Sequence, residues 1–374
     1  VGVVRLLALA TLARGLLNIG IVDFRKTLNF RQEFRYGVCE KFSSVAITIG
    51  LAFYLRSYWA LALAIPIEAL IGLILRYTMH PYRPRFSLEK FWSIWSFSMW
   101  LLISRIGYFF NARMDQILVG GNFDTSSMGY YNFAADLGEL PGNEMAVPMR
   151  RAIFPNLATM LSDPKKFDRT ILNTVGLAAL VLIPVGFGLA AISELLFPLV
   201  FGPRWEPAIP LFQWLAIAGV FSGLSAILEI QLLVNCKEKL SAAESWLRAL
   251  ALLTAISFLL RYESLEFISE ARMVIGFLFF IVMSRFCTAA CGLAMSDIFR
   301  AVWRSFFASI VMFLIVSSVD LTLIGASILE LAGRIMLGII TYVFIIFVLW
   351  ILGGRPDGPE KTLWNHIAGS KRWR

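Results

Sequence analysis

The sequence predicts an all-α polytopic membrane protein, with about eleven transmembrane helices in two bundles around a central cavity. Three observations lead there. The 374 residues are 58% hydrophobic with a mean hydropathy of +0.73, whereas a soluble domain sits nearer about 45–50% apolar. Apolar stretches long enough for a hydrocarbon core of about 30 Å recur from end to end. The short segments between them alternate in charge. In lipid a backbone must satisfy its own hydrogen bonds, and the alternation expected of barrel strands is absent, so the spans are helices.

Taken in order, the first three spans are 1–20, 36–55 and 58–77. The stretch Arg76–Lys90 follows, basic and broken by Pro81 and Pro84. It is the strongest internal boundary and joins two bundles across residues 81–90. Spans 92–120, 126–158, 170–197, 207–234, 242–260 and 270–292 come next, and a further pair at 302–318 and 330–352. Asp163-Pro164 and Gly202-Pro203 are turn signals between helices. Residues 353–374 read as a polar tail.

The net charge of +9 does not mean nucleic acid, because of where the charge lies. One set of loops holds Arg25, Lys26, Arg31, Arg35, Arg76, Arg83, Arg85, Lys90, Lys165, Lys166, Arg169, Lys237, Lys239, Arg300, Arg304 and five Lys or Arg of the tail. The alternate loops hold Arg56, Arg204 and Arg261. The positive-inside rule places the rich set, and the C-terminus, in the cytoplasm. Cys287 and Cys291 stand one turn apart but have no histidine near them in sequence, so small apolar packing outweighs a metal site. Trp59, Trp92, Trp205, Trp303 and Trp350 at span ends fit an aromatic belt.

Polar residues at membrane depth are costly and usually face a bundle interior or a wet cavity. At 100° per residue, Ser98, Ser104, Arg105, Tyr108, Asn111, Asp115 and Gln116 share a sector of about 140°, with Arg113 outside it. Asn132, Asp136, Glu139, Asn143 and Arg150 share about 60° of the next span, opposite Pro141, Pro148 and Pro155. Two arrangements satisfy these stripes. They line one polar cavity, in which arginine suits phosphate oxygens. Otherwise they pair with each other, Arg105 with Asp115 and Arg150 with Glu139, and only hold helices together. Glu68, two residues after Pro66 in mid-span, is the lone candidate for a coupling ion or proton; a kink with a locally paired Glu is the alternative. Arg272, Glu194 and Glu244 are expected to snorkel to an interface.

No phosphate-cradling GxxxxGK[ST] loop, HExxH, DxD or GxSxG occurs. These absences, with no large outer loop, argue against an enzyme and against any cofactor.

The order of motifs resembles the Wzx/WzxC-type oligosaccharide flippases of the multidrug/oligosaccharidyl-lipid/polysaccharide exporter superfamily. The residues that carry it are Phe30-Arg31, Pro81-Tyr82-Arg83-Pro84-Arg85-Phe86, and the run from Asn111 to Gly120. Met128-Gly129-Tyr130-Tyr131-Asn132-Phe133-Ala134, Leu140-Pro141 and Ala152-Ile153-Phe154-Pro155-Asn156-Leu157-Ala158 follow. Phe201-Gly202-Pro203-Arg204-Trp205 with Pro210-Leu211 completes the pattern. Asp124-Thr125-Ser126-Ser127-Met128 departs from it as a more polar turn. The resemblance implies that 1–80 is the remaining half of a first helical lobe with helices missing upstream, which fits the Val start. It implies a second six-helix lobe over 91–292 and an additional helix pair over 293–352. It implies a cargo of undecaprenyl-diphosphate-linked oligosaccharide, flipped across the bacterial inner membrane for exopolysaccharide, capsule or O-antigen. Membrane lipids, a polysaccharide polymerase and a chain-length regulator are the implied partners of a monomer. A lipid II flippase or cation-coupled drug exporter of the same superfamily is the neighbouring reading, and a membrane polysaccharide polymerase the more distant one.

Overall fold

A computed structural model describes residues 2–26, 30–57, 59–84, 89, 91–160, 163–319 and 328–354. The tail beyond residue 354, and the side chain of Arg150, lie outside the described residues. The chain divides into two compact units, Val1–Trp92 and Ser93–Arg374.

In the first unit α1 (Gly2–Gly15) leads through a 3-10 turn (Ile19–Ile21) into the short α2 (Val22–Lys26), then α3 (Phe30–Leu55) and α4 (Trp59–Met79). Small residues set the packing: Ala10 and Ala13 of α1 are buried with Ala69 of α4. The expected span over 1–20 is shorter than predicted. The Asn18 side chain accepts from the Gly20 N–H at 2.9 Å and donates to the Tyr82 carbonyl at 2.8 Å. That pair of bonds turns the backbone out of the helix at a point where hydropathy alone reads continuity. A Cβ at Gly20 would collide with the His80 ring.

The second unit is built on α5 (Phe91–Asn122), α6 (Thr125–Thr159), α7 (Pro164–Leu196), α8 (Ile209–Val234), α9 (Glu238–Leu259), α10 (Leu265–Cys291), α11 (Met295–Ser318) and α12 (Ile328–Leu352). The α5–α6 turn explains the polar run at 124–128. Asp124 caps α6, its carboxylate accepting from the N–H groups of Ser126 and Ser127 at 3.0 and 3.4 Å. Hydrogen bonding from Ser127 holds this exposed carboxyl below its ordinary range. α6 continues as helix through Pro141, Pro148 and Pro155.

Helix α8 is the hub, buried along its length against α6, α7 and α10. One apolar cluster joins Ile171, Leu182 and Ile183 of α7 to Leu224, Ile227 and Leu228 of α8. A second forms around Tyr131, Phe197, Phe212 and Leu215. Two of the motifs behind the family resemblance meet beside it: Phe133 packs against Trp205 with ring centroids 4.0 Å apart and against Phe201 at 4.9 Å. Trp205 therefore anchors the α7–α8 connection to α6 as well as standing at a span end.

Two G-x-x-x-G pairs cross where α6 meets α8. A Cβ at Gly138 would sit 2.8 Å from the Leu215 backbone, and one at Gly142 2.8 Å from the Gly219 carbonyl oxygen. A Cβ at Gly219 would overlap the Gly138 carbonyl, and one at Gly223 would lie 3.1 Å from Gly142 Cα. Backbone rests on backbone here, an approach that only residues without a side chain permit.

Among the described residues, eight helices are long and apolar enough to cross a membrane: α3, α4 and α7 through α12. The expected count of eleven is not reached by that measure. α1 has only 14 residues. α5 and α6 are about 48 and 52 Å long at 1.5 Å per residue, but their polar stripes keep them below the apolarity of a lipid-facing span.

The glycine crossing yields a prediction. Gly219→Ala should lower stability by about 1–3 kcal/mol, the cost of forcing packed helices apart. Gly121→Ala, where an added Cβ meets nothing within 4 Å, should be neutral or stabilise by up to about 1 kcal/mol through helix propensity. Thermal melting of both variants in detergent tests this; equal melting points would refute it.

Candidate functional site

The polar residues of the second unit converge where α5, α6, α8, α9 and α10 meet. At the base lies an ionic triad. Asp115 of α5 is fully buried. Arg272 of α10 donates to Asp115 Oδ2 at 2.6 Å through Nη1 and to Glu139 Oε1 of α6 at 2.5 Å through Nη2. Tyr131 of α6 donates its hydroxyl to the same Asp115 oxygen at 2.7 Å. One guanidinium thus ties three helices together, its planar fork serving two carboxylates at once.

Beside the triad is a recess with space for water of about 70 Å³, room for several ordered waters or one small ionic group. Tyr108, Asn111, Glu139 and Asn143 line one side. Ser222, Ser225 and Glu229 of α8, with Glu244, Ser245 and Arg248 of α9, line the other. Gly142, Gly219 and Gly223 form part of its wall, so the close helix crossing opens directly onto it. Arg248 donates to Ser222 Oγ at 2.8 Å. Ser241 donates to Glu229 at 2.7 Å and stands 3.3 Å from Ser104 of α5. Trp246 donates its indole N–H to the Ile103 carbonyl at 3.0 Å, fixing α9 against α5.

The candidates from the sequence separate into groups. Tyr108, Asn111, Glu139 and Asn143 share the recess, and Asp115 lies in the triad. Gln116 and Asp136 meet Arg113 instead, at 2.6 and 3.6 Å, on an exposed edge. Asn132 is half-buried, its side-chain oxygen without a partner. Arg105 is exposed and does not pair with Asp115, whose partner is Arg272. Glu139 likewise pairs with Arg272. Glu68 is half-buried in α4 of the first unit. Arg272 and Glu244, expected to snorkel, are buried at 9% and 5% exposure; helix packing encloses their heads before they reach an interface. Among the described residues no set of three His, Cys, Asp or Glu side chains is arranged for a metal.

The residues missed are Ser222, Ser225, Glu229, Glu244, Arg248 and, as the triad's centre, Arg272. A signal for most of them was present. Ser241, Glu244, Ser245 and Arg248 repeat at i, i+3, i+4 and i+7, and Ser222, Ser225 and Glu229 at i, i+3 and i+7. These are polar stripes of one helix face, the same pattern that singled out α5 and α6.

Residues 1–210 match the model of a family described as polysaccharide biosynthesis protein. The chain belongs to that family. It is 24% identical over 195 residues to the succinoglycan biosynthesis transport protein ExoT of Rhizobium meliloti, covering 52% of this chain and 40% of that protein. It is 25% identical over 266 residues to the teichuronic acid biosynthesis protein TuaB of Bacillus subtilis, covering 70% and 55%. It is 25% identical over 171 residues to the lipopolysaccharide biosynthesis protein WzxC of Escherichia coli, covering 44% and 35%. The matches thus span about half or less of those curated relatives. The fold is similar to that of the lipid II flippase MurJ in an inward closed conformation, with a TM-score of 0.66 at 15% identity over 93% of this chain and 72% of that one. With its long apolar helices, this polysaccharide-biosynthesis family member is a multi-pass membrane protein, and its recognition from motifs as Wzx-type stands.

The triad carries the prediction for this site. Arg272→Gln leaves two carboxylates facing each other without their cation and should destabilise by about 3–5 kcal/mol. Arg113→Gln, which removes an exposed pair, should cost at most about 1 kcal/mol. Adding Asp115→Asn to Arg272→Gln should recover part of the loss, because the stranded charge is then gone. Melting temperatures in detergent report all three; an Arg272→Gln variant as stable as wild type would contradict the assignment.

Proposed function

We propose that this chain is part of a flippase that moves a lipid-linked oligosaccharide, undecaprenyl-diphosphate-linked, across the bacterial inner membrane for exopolysaccharide, capsule or O-antigen synthesis. The observation that carries the reading is the charged recess enclosed by otherwise apolar helices, in a chain whose family makes polysaccharides. Buried ionic groups in a membrane bundle are expensive and mark pathways for polar cargo. The relatives named for succinoglycan transport, teichuronic acid and lipopolysaccharide biosynthesis support a saccharide cargo, and the MurJ-like fold supports a moving-bundle transporter rather than an enzyme.

In this reading the saccharide and its diphosphate traverse a polar route while the lipid tail stays in the bilayer. Tyr108, Asn111, Glu139 and Asn143 belong to that route, and Arg105 and Arg150 to its approaches. The two compact units are two helical lobes that alternate access to either face. The C-terminus is cytoplasmic by the positive-inside rule. Glu68, close to Pro66 and without a hydrogen bond or ion pair among the described residues, serves the coupling ion or proton. The protein works as a monomer, beside a polymerase and a chain-length regulator that receive the flipped unit.

Deleting the gene in its own host tests this. Surface polysaccharide should fall and the lipid-linked saccharide should accumulate in the membrane, with drug sensitivity unchanged, and the full-length gene should restore export. Unchanged polysaccharide together with raised drug sensitivity would overturn the reading in favour of a drug exporter.

A further inference from the structure

The two guanidinium groups of the recess are in different states. Arg272 is committed, bonded to two carboxylates. Arg248 is only 9% exposed, yet its direct partner is the neutral Ser222 hydroxyl, and its Nε has no partner. Glu244, one helical turn earlier on α9 and 5% exposed, has an Oε1 atom without a partner. The two side chains face each other as opposite charges but do not close an ion pair within 4 Å among the described residues. The Ser225 hydroxyl, 4% exposed and also lining the recess, is likewise unpartnered. Three separate buried side chains therefore present unsatisfied polar atoms around one small space.

Burying an unpaired charge is costly, and folded proteins keep such groups where a ligand or water completes them. The recess lies directly beside these groups and has room for a phosphate- or carboxylate-sized group. An arginine with a free edge and a serine hydroxyl next to it form a donor set for anionic oxygens. We propose that Arg248 is the anion-reading residue of this recess, binding one anionic oxygen group of the cargo with help from Ser225. Glu244 is the counter-charge of the empty site and opposes the incoming anion. This inference rests on the transport reading above and deepens it. The anionic group has two sources in a lipid-linked saccharide, a phosphate of the diphosphate link or the carboxylate of an acidic sugar.

The test uses the purified chain in detergent, titrated calorimetrically with sodium pyrophosphate, with glucuronate and with glucose as the uncharged control. Saturable binding of pyrophosphate or glucuronate, but not glucose, is expected, and the anion that binds identifies the source. Arg248→Gln should weaken that binding at least tenfold, and Arg248→Lys should restore part of it, keeping charge but losing the fork. Glu244→Gln should tighten binding at least threefold, because a repulsive charge is gone. Arg113→Gln, an exposed arginine elsewhere on α5, should change nothing. Absence of saturable anion binding by the wild-type chain, equal binding by Arg248→Gln, or weaker binding by Glu244→Gln would each overturn the proposal. If Arg248→Gln fails to fold, the nearly isosteric Glu244→Gln carries the test: tighter binding supports the site, and unchanged or weaker binding overturns it. The two levels fail separately. Polysaccharide export that needs the gene, with anion binding indifferent to Arg248, removes this inference alone. Arg248-dependent binding in a protein whose deletion leaves export intact removes the transport reading and keeps the site.

Discussion

The contact of α6 with α8 through Gly138, Gly142, Gly219 and Gly223 is the constraint on which the rest of the second unit depends. Lipid tails are as apolar as leucine, so helices in a membrane gain little from burying apolar side chains against each other. Close backbone approach, with many dispersion contacts, is the available source of adhesion. The four glycines supply it. The same closeness fixes what stands beside them. Glu139 follows Gly138 and Asn143 follows Gly142 on α6, while Ser222 precedes Gly223 on α8. All three reach the recess because the glycines hold their backbones there.

Electrostatics completes what packing begins. Arg272 brings α10 to the α5 and α6 carboxylates, and Trp246 and Ser241 bring α9 to α5. The result is a polar interior whose charges differ in commitment. The triad is ion-paired and acts as a structural tie, with one Asp115 oxygen left without a partner. Arg248 and Glu244 are open, beside the recess. A transporter needs both kinds: fixed pairs that keep the bundle in one register, and uncommitted groups whose partners arrive with the cargo.

Much of this was legible in the sequence, for physical reasons. Helix positions follow from hydropathy and turn residues, so α3, α4 and α7 through α12 fall close to the expected spans. The span at 1–20 was overread because the Asn18 turn depends on a bond to the Tyr82 carbonyl, which no local pattern reveals. Of the stripes on α5 and α6, Tyr108, Asn111, Glu139 and Asn143 share the recess. Helical phase tells which residues share a face, but not which helix that face meets. Asp115 therefore found Arg272 rather than Arg105, Glu139 shares that arginine, and Asp136 turned to Arg113. The stripes on α8 and α9 obey the same arithmetic. The α8 stripe was overlooked because few polar residues stand in a very apolar helix, where each one carries more weight.

The central claim is that the recess is a hydrated polar interior within the membrane. Single cysteines at Asn111, Asn143 and Ser222, in a variant lacking Cys39, Cys236, Cys287 and Cys291, test it in intact membranes with a hydrophilic thiol reagent. The account predicts that all three react, whereas cysteines at Phe109 and Leu314, exposed apolar positions on α5 and α11, do not. Equal reactivity at the two sets, or none at the first, would mean that the polar stripes only bind helices together and that no wet cavity exists.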